Sequence, residues 1–570
     1  MTHERADLDD PRDDDPQRNE PRNDDSPHSD PRHGDPRRDN PRRDDPRHDH
    51  PTRDYVRWGL RLAAVASFGI AVWVRHFGRN HGLPSFSRDG ALVFTLVLAA
   101  VWLLSFLEWR WLQSPAVRRS IWSLLGVAGL VLLTYLLVQA DWIGPNGQAL
   151  FGIACFLGLA VSVSSQSQAI NWRTVGWGFA LQVFLALIIL KFSLRWEGET
   201  IRPVYELFRA AGDLVTRFLS YSDRGAEFVF GALADRGGAM TRSFGPGDSY
   251  VFAFRALPTV IFISAFFTVL YHIGLLPFVV KWMARAMMWF MRTSGAESLS
   301  AAANVFMGQT EAPLIVKPFI PRMTSSELLA IMAGGMATIA GSVMAVYIGM
   351  GADPVAILAT SVMAAPCGLY IAKIVLPETE TPETSGSAPV SLESPHRNII
   401  DAFSAGASDG VQLAINIAAM LIAFIALIAM IDSVLGLLHD DLSLRLIFAR
   451  LFAPAAMLIG VEPADVEKVG GLLGTKLAAN EFVAYADLAR DYVTREAGTI
   501  QVRGISVRSY QLATFALTGF ANFASIGIQL GGIGAMAPSR RRDLARLGGR
   551  ALFVGFVATM LNAAIAGVLL

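Results

Sequence analysis

Residues 304–313 read NVFMGQTEAP, a polar string inside a long apolar region, and residues 334–343 read GGMATIAGSV. The first string places an amide, Gln309, two positions before a carboxylate, Glu311. The second interrupts an apolar helical pattern with glycine and hydroxyl residues. A carboxylate at the centre of a bilayer costs roughly 2.5–3.5 kcal/mol on insertion scales and usually marks a binding function. This stretch therefore predicts a site at membrane depth.

The composition indicates a membrane protein. The chain has 570 residues, of which 52% are hydrophobic and 17% charged. Its apolar residues fall in runs of about 17–25, long enough to cross a bilayer as helices. An ordinary soluble protein is excluded on this ground. Both cysteines, Cys155 and Cys367, lie in apolar runs, so we expect no disulfide. The first fifty residues are highly charged, so we expect no secretory signal peptide.

The N-terminal 140 residues divide into two parts. Residues 1–54 repeat a short Asp-Pro-Arg unit, which predicts a disordered, charged cytoplasmic tail because almost no apolar side chain is available to offset the entropy of folding. A docking tail for lipid headgroups or a protein partner is the alternative. Residues 55–140 contain three apolar runs, at 56–74, 91–107 and 121–138, which predict three additional transmembrane helices.

The rest of the chain predicts further spans and two segments that enter and leave the membrane on one side. Amphipathic patterns at 204–219 and 281–292 predict helices on the membrane surface. Loops rich in Lys and Arg are expected on the cytoplasmic side of the membrane. Counting the spans between these loops puts them all on that side only if 298–321 and 465–488 are re-entrant hairpins. The count is then eleven full spans, with the N-terminus inside and the C-terminus outside. The basic loop 490–508 is the exception, because this scheme places it outside.

The two predicted hairpins follow the same plan. Residues 308–313 (GQTEAP) and 474–483 (GTKLAANEFV) each carry an amide close to a glutamate, and each hairpin precedes an interrupted apolar helix. Paired hairpins with broken helices in corresponding halves are typical of inverted-repeat transporters with a midplane site. The alternative for Gly334, Gly335, Gly341, Gly531 and Gly532 is close helix packing alone. The neighbouring bases Lys317 and Lys476 are possible partners for the two glutamates.

Three segments of this sequence resemble the signatures of the concentrative nucleoside transporter family: 308–313, 480–485 (NEFVAY) and 519–526 (GFANFASI). The resemblance covers about residues 150–570. The charged tail matches nothing in the family pattern. The resemblance implies an all-α polytopic membrane protein, an inverted-repeat elevator transporter with scaffold and transport domains, assembled as a homotrimer in the plasma membrane.

The same resemblance implies a division of the chain. Residues 150–295 would be scaffold and interfacial helices, 377–398 a cytoplasmic linker and 399–440 a long scaffold helix. Residues 296–376 and 441–570 would be the two halves of the transport domain, each with one hairpin and one broken helix.

Roles for individual residues are likewise implied by the resemblance. The nucleobase would be contacted by Gln309, Thr310, Glu311, Val343 and Phe520. The ribose hydroxyls would be held by Glu481, Asn522 and Ser525. A sodium ion would be bound by the side chains of Asn304 and Thr338 and by the main-chain carbonyls of Met307 and Ile339. Threonine at 338, where serine is common, keeps the hydroxyl that the ion requires.

The function predicted is secondary active uptake of nucleosides with a cation, sodium being favoured and a proton carried by Glu311 or Glu481 being the alternative. A passive channel is disfavoured because the polar residues cluster at two hairpins. A membrane enzyme is disfavoured because no metal-ligand cluster or nucleophile–base motif is present. A transporter-like nucleoside sensor stays open. Besides the nucleoside, the expected partners are membrane lipid and two further copies of the chain, and not nucleic acid.

Overall fold

The computed structural model describes residues 115–196, 199–234, 252–386, 395–437, 439, 442–496 and 499–570. The predicted tail 1–54 and the predicted spans 56–74 and 91–107 lie outside these residues. The third predicted N-terminal span, 121–138, is present as a helix.

The N-terminal half of the described chain contains six helices and one short hairpin. They are α1 (Pro115–Gln139), α2 (Pro145–Ser162), α3 (Trp172–Leu190), β1 (Leu194–Trp196), β2 (Glu199–Ile201), α4 (Pro203–Phe230), α5 (Phe252–His272) and α6 (Leu275–Met291). Helix α3 begins at Asn171, whose side chain accepts from the backbone N–H of Arg173 and Thr174. This capping fixes the start of a span after a polar loop.

The two predicted surface helices are present and longer than expected. Helix α4 extends the predicted 204–219 to Phe230. Helix α6 leaves α5 at a bend of 71°, and Gly274, at φ +84°, occupies the turn. Trp282 and Trp289 of α6 are largely exposed. Aromatic rings of this kind favour the boundary between hydrocarbon and water, which supports a helix lying along the membrane surface.

The C-terminal half contains the hairpins and broken helices. Its elements are α7 (Gly295–Ala303), α8 (Ser325–Ala337), α9 (Gly341–Met350), α10 (Pro354–Val375), α11 (Ile399–Gly436), α12 (Leu444–Leu458), α13 (Val466–Ala478), α14 (Glu481–Tyr492), β3 (Val493–Glu496), β4 (Thr499–Val502), α15 (Val507–Leu517), α16 (Phe523–Met536) and α17 (Arg541–Leu569). The β3–β4 hairpin occupies part of the basic loop 490–508. Neither short β-hairpin is indicated by the sequence patterns above.

The first hairpin, called hairpin 1, has one helical arm and one irregular arm. Helix α7 forms the first arm, and two short 3₁₀ turns, Ala312–Val316 and Ile320–Arg322, form the second. Prolines at 313, 318 and 321 lack the N–H that an α-helix requires, which explains the irregular arm. Hairpin 2 consists of α13 and α14, joined at Asn480, whose side chain caps α14.

A buried charge cluster holds the base of hairpin 1. The Nζ of Lys373 on α10 lies 2.8 Å from Glu297 and 3.1 Å from Glu378, and it donates to Ser326 at 3.0 Å. Glu297 is only 1% exposed. Because an unpaired buried carboxylate is strongly destabilising, this cluster fixes α7, α8 and α10 in one arrangement.

The fold class predicted from the sequence is confirmed. Seven described helices are long and apolar enough to span a membrane, or eight if the bent pair α5–α6 counts as one. The broken pair α15–α16 adds a further apolar passage of two shorter helices. The predicted spans 56–74 and 91–107 are not among the described residues, so the total of eleven spans stays a prediction. The long helix α11 is mostly exposed and packs on α5.

Helix α2 packs without space for a side chain at Gly152. A Cβ atom there would overlap the carbonyl oxygen of Leu458 on α12. A backbone carbonyl cannot move aside as the end of a side chain can, so the contact requires glycine. By contrast, a Cβ atom at Gly176 on α3 would meet nothing within 4 Å.

We therefore expect Gly152→Ala to destabilise the protein by about 1–3 kcal/mol, the usual range for overpacking. Gly176→Ala is the matched control and should not lower stability, because alanine favours helix without any clash. Thermal unfolding in detergent measures both. Equal midpoints for the two variants would contradict the packing described for α2 and α12.

Candidate functional site

The two helix breaks lie against each other. The backbone N–H of Phe520, in the break between α15 and α16, donates to the carbonyl of Thr338, in the break between α8 and α9, at 3.1 Å. Gly519 adopts φ +144°, and a Cβ atom there would lie 3.0 Å from the Ala337 carbonyl. Glycine is therefore required at 519 by both conformation and space. The breaks bring residues nearly two hundred positions apart into one polar region.

A candidate cation site lies where hairpin 1 meets the first break. Asn304 is fully buried, and no described residue bonds to its amide oxygen or nitrogen. A Cβ atom at Gly334 would lie 3.2 Å from the Asn304 nitrogen, and Thr338, one turn after Gly334, donates its hydroxyl proton to the Gly334 carbonyl at 2.9 Å. The hydroxyl oxygen of Thr338 therefore keeps its lone pairs for another partner.

Two main-chain carbonyls complete the candidate set. Met307 and Ile339 lie outside helices, and within the described chain no backbone N–H donates to either carbonyl. The Gly341 N–H donates to the Phe306 carbonyl at 2.9 Å, which joins the two segments. Unpaired oxygens at an unwound helix suit an alkali cation. All four residues predicted for sodium thus lie in segments that the structure joins, while their role as ligands stays a prediction.

A second group, called the carboxylate cluster, consists of Glu481, Tyr347 and Asn522. The Tyr347 hydroxyl donates to one carboxylate oxygen of Glu481 at 2.9 Å, and the Asn522 side-chain nitrogen donates to the other at 2.8 Å. Glu481 is 5% exposed and begins α14. The positive end of the helix dipole and two neutral donors therefore surround the carboxylate. Each oxygen keeps a lone pair for a further donor.

A third group, called the amide cluster, consists of Gln309, Ser525 and Gln529. The Gln309 nitrogen donates to the Ser525 hydroxyl at 3.2 Å, and the Gln529 nitrogen donates to the Gln309 oxygen at 3.2 Å. The Asn522 oxygen accepts from the Ser525 N–H at 2.9 Å and caps α16. This cap connects the amide cluster to the carboxylate cluster. Hairpin 1 and the second break therefore form one continuous polar surface.

The remaining predicted residues lie near these clusters but make fewer contacts. The Glu311 carboxylate accepts from the Gly308 N–H at 3.0 Å, and its side chain is exposed. Thr310 packs so closely on Gly532 that a Cβ atom there would overlap its methyl group. Val343 is buried on α9, one turn before Tyr347. In the part of the chain that the structure describes, no polar contact joins Glu311 to the other predicted binding residues.

The glutamates are not paired with the nearby lysines. Among the described residues, no ion pair joins Glu311 or Glu481 to a cation. The buried Nζ of Lys476 donates instead to the Ala516 carbonyl at 2.7 Å and to the Thr559 hydroxyl at 2.9 Å. The suggestion that Lys317 or Lys476 neutralises a glutamate by direct contact is therefore wrong for this structure.

Tyr347 and Gln529 belong to these clusters but were not predicted from the sequence. Each lies one helical turn after a predicted residue, Tyr347 after Val343 and Gln529 after Ser525, so each shares a face with it. Gln529 is also a lone amide in an apolar half-helix, a signal that could have identified it. Tyr347 carries no such signal because aromatic residues are common in apolar helices.

Tyr347→Phe should lower the stability of the folded protein. The tyrosine is fully buried and stacks on Tyr485 with ring centroids 4.3 Å apart, so phenylalanine keeps the packing and removes only the hydrogen bond to Glu481. Hydrogen bonds to charged groups contribute about 1.5–3 kcal/mol. Thermal unfolding in detergent measures the loss. The exposed Tyr221 provides a matched control, since Tyr221→Phe should leave the unfolding midpoint unchanged. Equal unfolding midpoints for wild type and Tyr347→Phe would contradict the hydrogen bond between Tyr347 and Glu481.

Three family models match successive parts of the chain. "Na+ dependent nucleoside transporter N-terminus" matches residues 151–233, "Nucleoside recognition" matches 253–354, and "Na+ dependent nucleoside transporter C-terminus" matches 356–567. Within the described residues, no group of three or more His, Cys, Asp or Glu side chains could hold a metal ion.

Relatives and solved structures agree with these models. The chain is 42% identical over 430 residues to an uncharacterised transporter of Haemophilus influenzae, which covers 74% of this chain and 96% of the relative. It is 40% identical over 464 residues to sodium/nucleoside cotransporter 1 of Mus musculus, an alignment that covers 79% of this chain and 68% of the relative. "Structure of CNTnw in an inward-facing substrate-bound state" matches with a TM-score of 0.67 and 40% identity, covering 74% of this chain and 97% of that one. A double variant of CNTnw in an outward-facing state matches equally well, with a TM-score of 0.67. The chain belongs to the Na+-dependent nucleoside transporter family.

Proposed function

We propose that this protein takes up nucleosides by symport with sodium. The observation that carries the proposal is the junction of the two breaks, where Phe520 bonds to Thr338. Asn304 lies next to Gly334, one turn before Thr338, and Asn522 of the carboxylate cluster follows Phe520 by two residues, so this contact connects the two groups. Occupancy of one group then affects the geometry of the other, which is the requirement for coupled transport.

The carboxylate cluster suits a ribose. The 2′ and 3′ hydroxyls of a ribose offer two donors, and the two oxygens of Glu481 accept them in charge-assisted hydrogen bonds. Tyr347 and Asn522 hold the carboxylate in position without neutralising it. Asn522 and Ser525 would add further hydrogen bonds to the sugar. Gln309, Thr310 and Glu311 would contact the base, while Val343 and Phe520 would pack against its face.

Sodium is the coupling ion that fits the junction. Asn304 and Thr338 would supply side-chain oxygens, and Met307 and Ile339 would supply carbonyls. Neutral oxygens at an unwound helix are the usual membrane solution for this hard cation. The ion brings about 2.3 kcal/mol per 100 mV of membrane potential, in addition to its concentration gradient. A proton carrier would instead require one of the glutamates to change charge during transport.

The setting of transport follows from the family and is part of the proposal. The hairpins and broken helices would form a mobile transport domain, and the exposed helix α11 would belong to a scaffold that contacts lipid and two further copies of the chain. The protein would lie in the plasma membrane with its N-terminus in the cytoplasm. The 38-residue length of α11 and its exposed apolar residues, such as Ile422 and Met430, support a surface covered by lipid or by another subunit.

Uptake of radiolabelled uridine and adenosine into proteoliposomes tests the proposal. An imposed sodium gradient should drive accumulation above equilibrium, and a proton gradient alone should not. Accumulation driven only by protons would replace sodium as the coupling ion. Equilibration without accumulation would indicate a passive channel, and no flux under either gradient would contradict transport.

Glu481→Gln should reduce sodium-driven uridine uptake at least about a hundredfold. Glutamine replaces one of the two acceptor oxygens with a donor and removes the charge from the other, so the ribose loses one hydrogen bond and the charge assistance of both. Charged hydrogen bonds contribute about 1.5–3 kcal/mol each, and every 1.4 kcal/mol is tenfold. Glu467→Gln is the matched control, because Glu467 is exposed on α13 of the same hairpin. Wild-type uptake by the Glu481 variant would remove this residue from the site.

A further inference from the structure

Gln529 lies behind the Gln309 side chain and has no role in the binding set described above. It is fully buried on α16. Its nitrogen donates to the Met332 carbonyl at 2.9 Å and to the Gln309 oxygen at 3.2 Å. We propose that Gln529 locks the orientation of the Gln309 amide and so determines which edge of a nucleobase the site accepts. This inference rests on the proposed function, because it assigns selectivity within the same site.

The orientation of the Gln529 amide is determined by the Met332 backbone carbonyl. A backbone carbonyl only accepts hydrogen bonds, so the Met332 carbonyl requires the nitrogen of Gln529 on its side. The second N–H of that nitrogen then points to Gln309. Gln309 can accept it only by turning its oxygen toward Gln529. A fixed carbonyl on α8 therefore orients two successive amides.

The lock leaves Gln309 with a donor for substrate. The Gln309 oxygen accepts from Gln529, and one of the two N–H groups of its amide donates to the Ser525 hydroxyl. The second N–H is available to a ligand. A free glutamine could rotate and present either its oxygen or its nitrogen. Because its oxygen is turned toward Gln529, a locked Gln309 directs its remaining N–H toward the ligand, and the part of the base that faces this N–H is then an acceptor.

Close packing prevents the two amides from rearranging. A Cβ atom at Gly335 would lie 2.8 Å from the Cβ of Gln309 and 3.0 Å from the Gln529 nitrogen. Both side chains are therefore confined against the backbone of α8. Rotation of Gln309 would require Gln529 to turn its own oxygen toward the Met332 carbonyl, which would place two buried acceptors against each other.

Packing alone does not explain an amide at this position. The oxygen of Gln529 is buried, and no residue in the described ranges donates to it. An apolar side chain of similar size would avoid that desolvation cost. Such a residue would fill the same space without fixing Gln309. The amide is therefore better explained by selectivity than by stability.

The fixed orientation of Gln309 affects which pyrimidine base the site recognises, because uracil and cytosine differ at ring positions 3 and 4. Uracil offers an N–H at position 3 and a carbonyl oxygen at position 4, whereas cytosine offers a ring nitrogen acceptor at position 3 and an amino group at position 4. The two bases thus exchange donor and acceptor at both positions. A locked amide donor beside a carboxylate acceptor cannot match both equally. The wild-type protein should discriminate between uridine and cytidine.

The experiment compares the ratio of Vmax/KM for uridine and cytidine in sodium-driven proteoliposomes. Gln529→Leu frees Gln309, so this ratio should move toward one by at least about threefold, the effect of one neutral hydrogen bond. Gln529→Glu can only accept, so it should capture the Gln309 nitrogen, turn its oxygen to the base and shift the ratio further in the same direction. Gln511→Leu is the matched control, because Gln511 donates to Asp353 away from the site, and its ratio should equal that of wild type.

A ratio of uptake efficiencies is insensitive to folding yield, because both nucleosides are measured on the same preparation. If a variant does not transport, the ratio of nucleoside dissociation constants in detergent replaces it. Wild-type discrimination below about threefold, or an unchanged ratio in both Gln529 variants, would overturn the lock. Absence of sodium-driven accumulation by the wild type would contradict the proposed function instead, and the binding ratio would still decide the inference.

Discussion

Two apolar helices stop partway, at residues 338–340 and 518–522, and each break leaves backbone N–H and C=O groups without helical partners. In hydrocarbon these groups cannot turn to water, so they must meet protein, ligand or a watery cavity. The structure satisfies part of this requirement by placing the breaks together, with Phe520 bonded to Thr338. The carbonyls of Met307 and Ile339 remain without a backbone donor within the described chain. These two carbonyls therefore belong to the candidate ion site.

The polar side chains around this junction are arranged without opposing charges. Glu481 is held by Tyr347 and Asn522, and the buried Lys476 donates to neutral oxygens. A carboxylate paired with lysine would be a poor acceptor for substrate hydroxyls. A carboxylate held by neutral donors keeps lone pairs for further donors. In this respect Glu481 differs from Glu297, which is paired with Lys373.

The sequence predicted the large features well and the local geometry less well. Apolar runs of 17–25 residues predict helices, and glycine with hydroxyl residues inside a run predicts a break, because both signals are local. The contact of Gln309 with Ser525 joins residues 216 positions apart, and no spacing pattern encodes it. The roles of Tyr347 and Gln529 were missed for the same reason, since each depends on an element from the other half of the fold. The irregular second arm of hairpin 1 was indicated only by its prolines.

The central claim is that the ion and nucleoside sites share one joint, so the binding of sodium and of nucleoside must be linked reciprocally. Calorimetric dissociation constants for uridine in sodium and in choline, for wild type and for Asn304→Leu, test this claim directly. The account predicts that sodium tightens uridine binding to wild type at least about fivefold, the lower end of typical couplings. It also predicts that the Asn304 variant binds uridine equally in both salts. Equal dissociation constants for wild type in sodium and choline would contradict it.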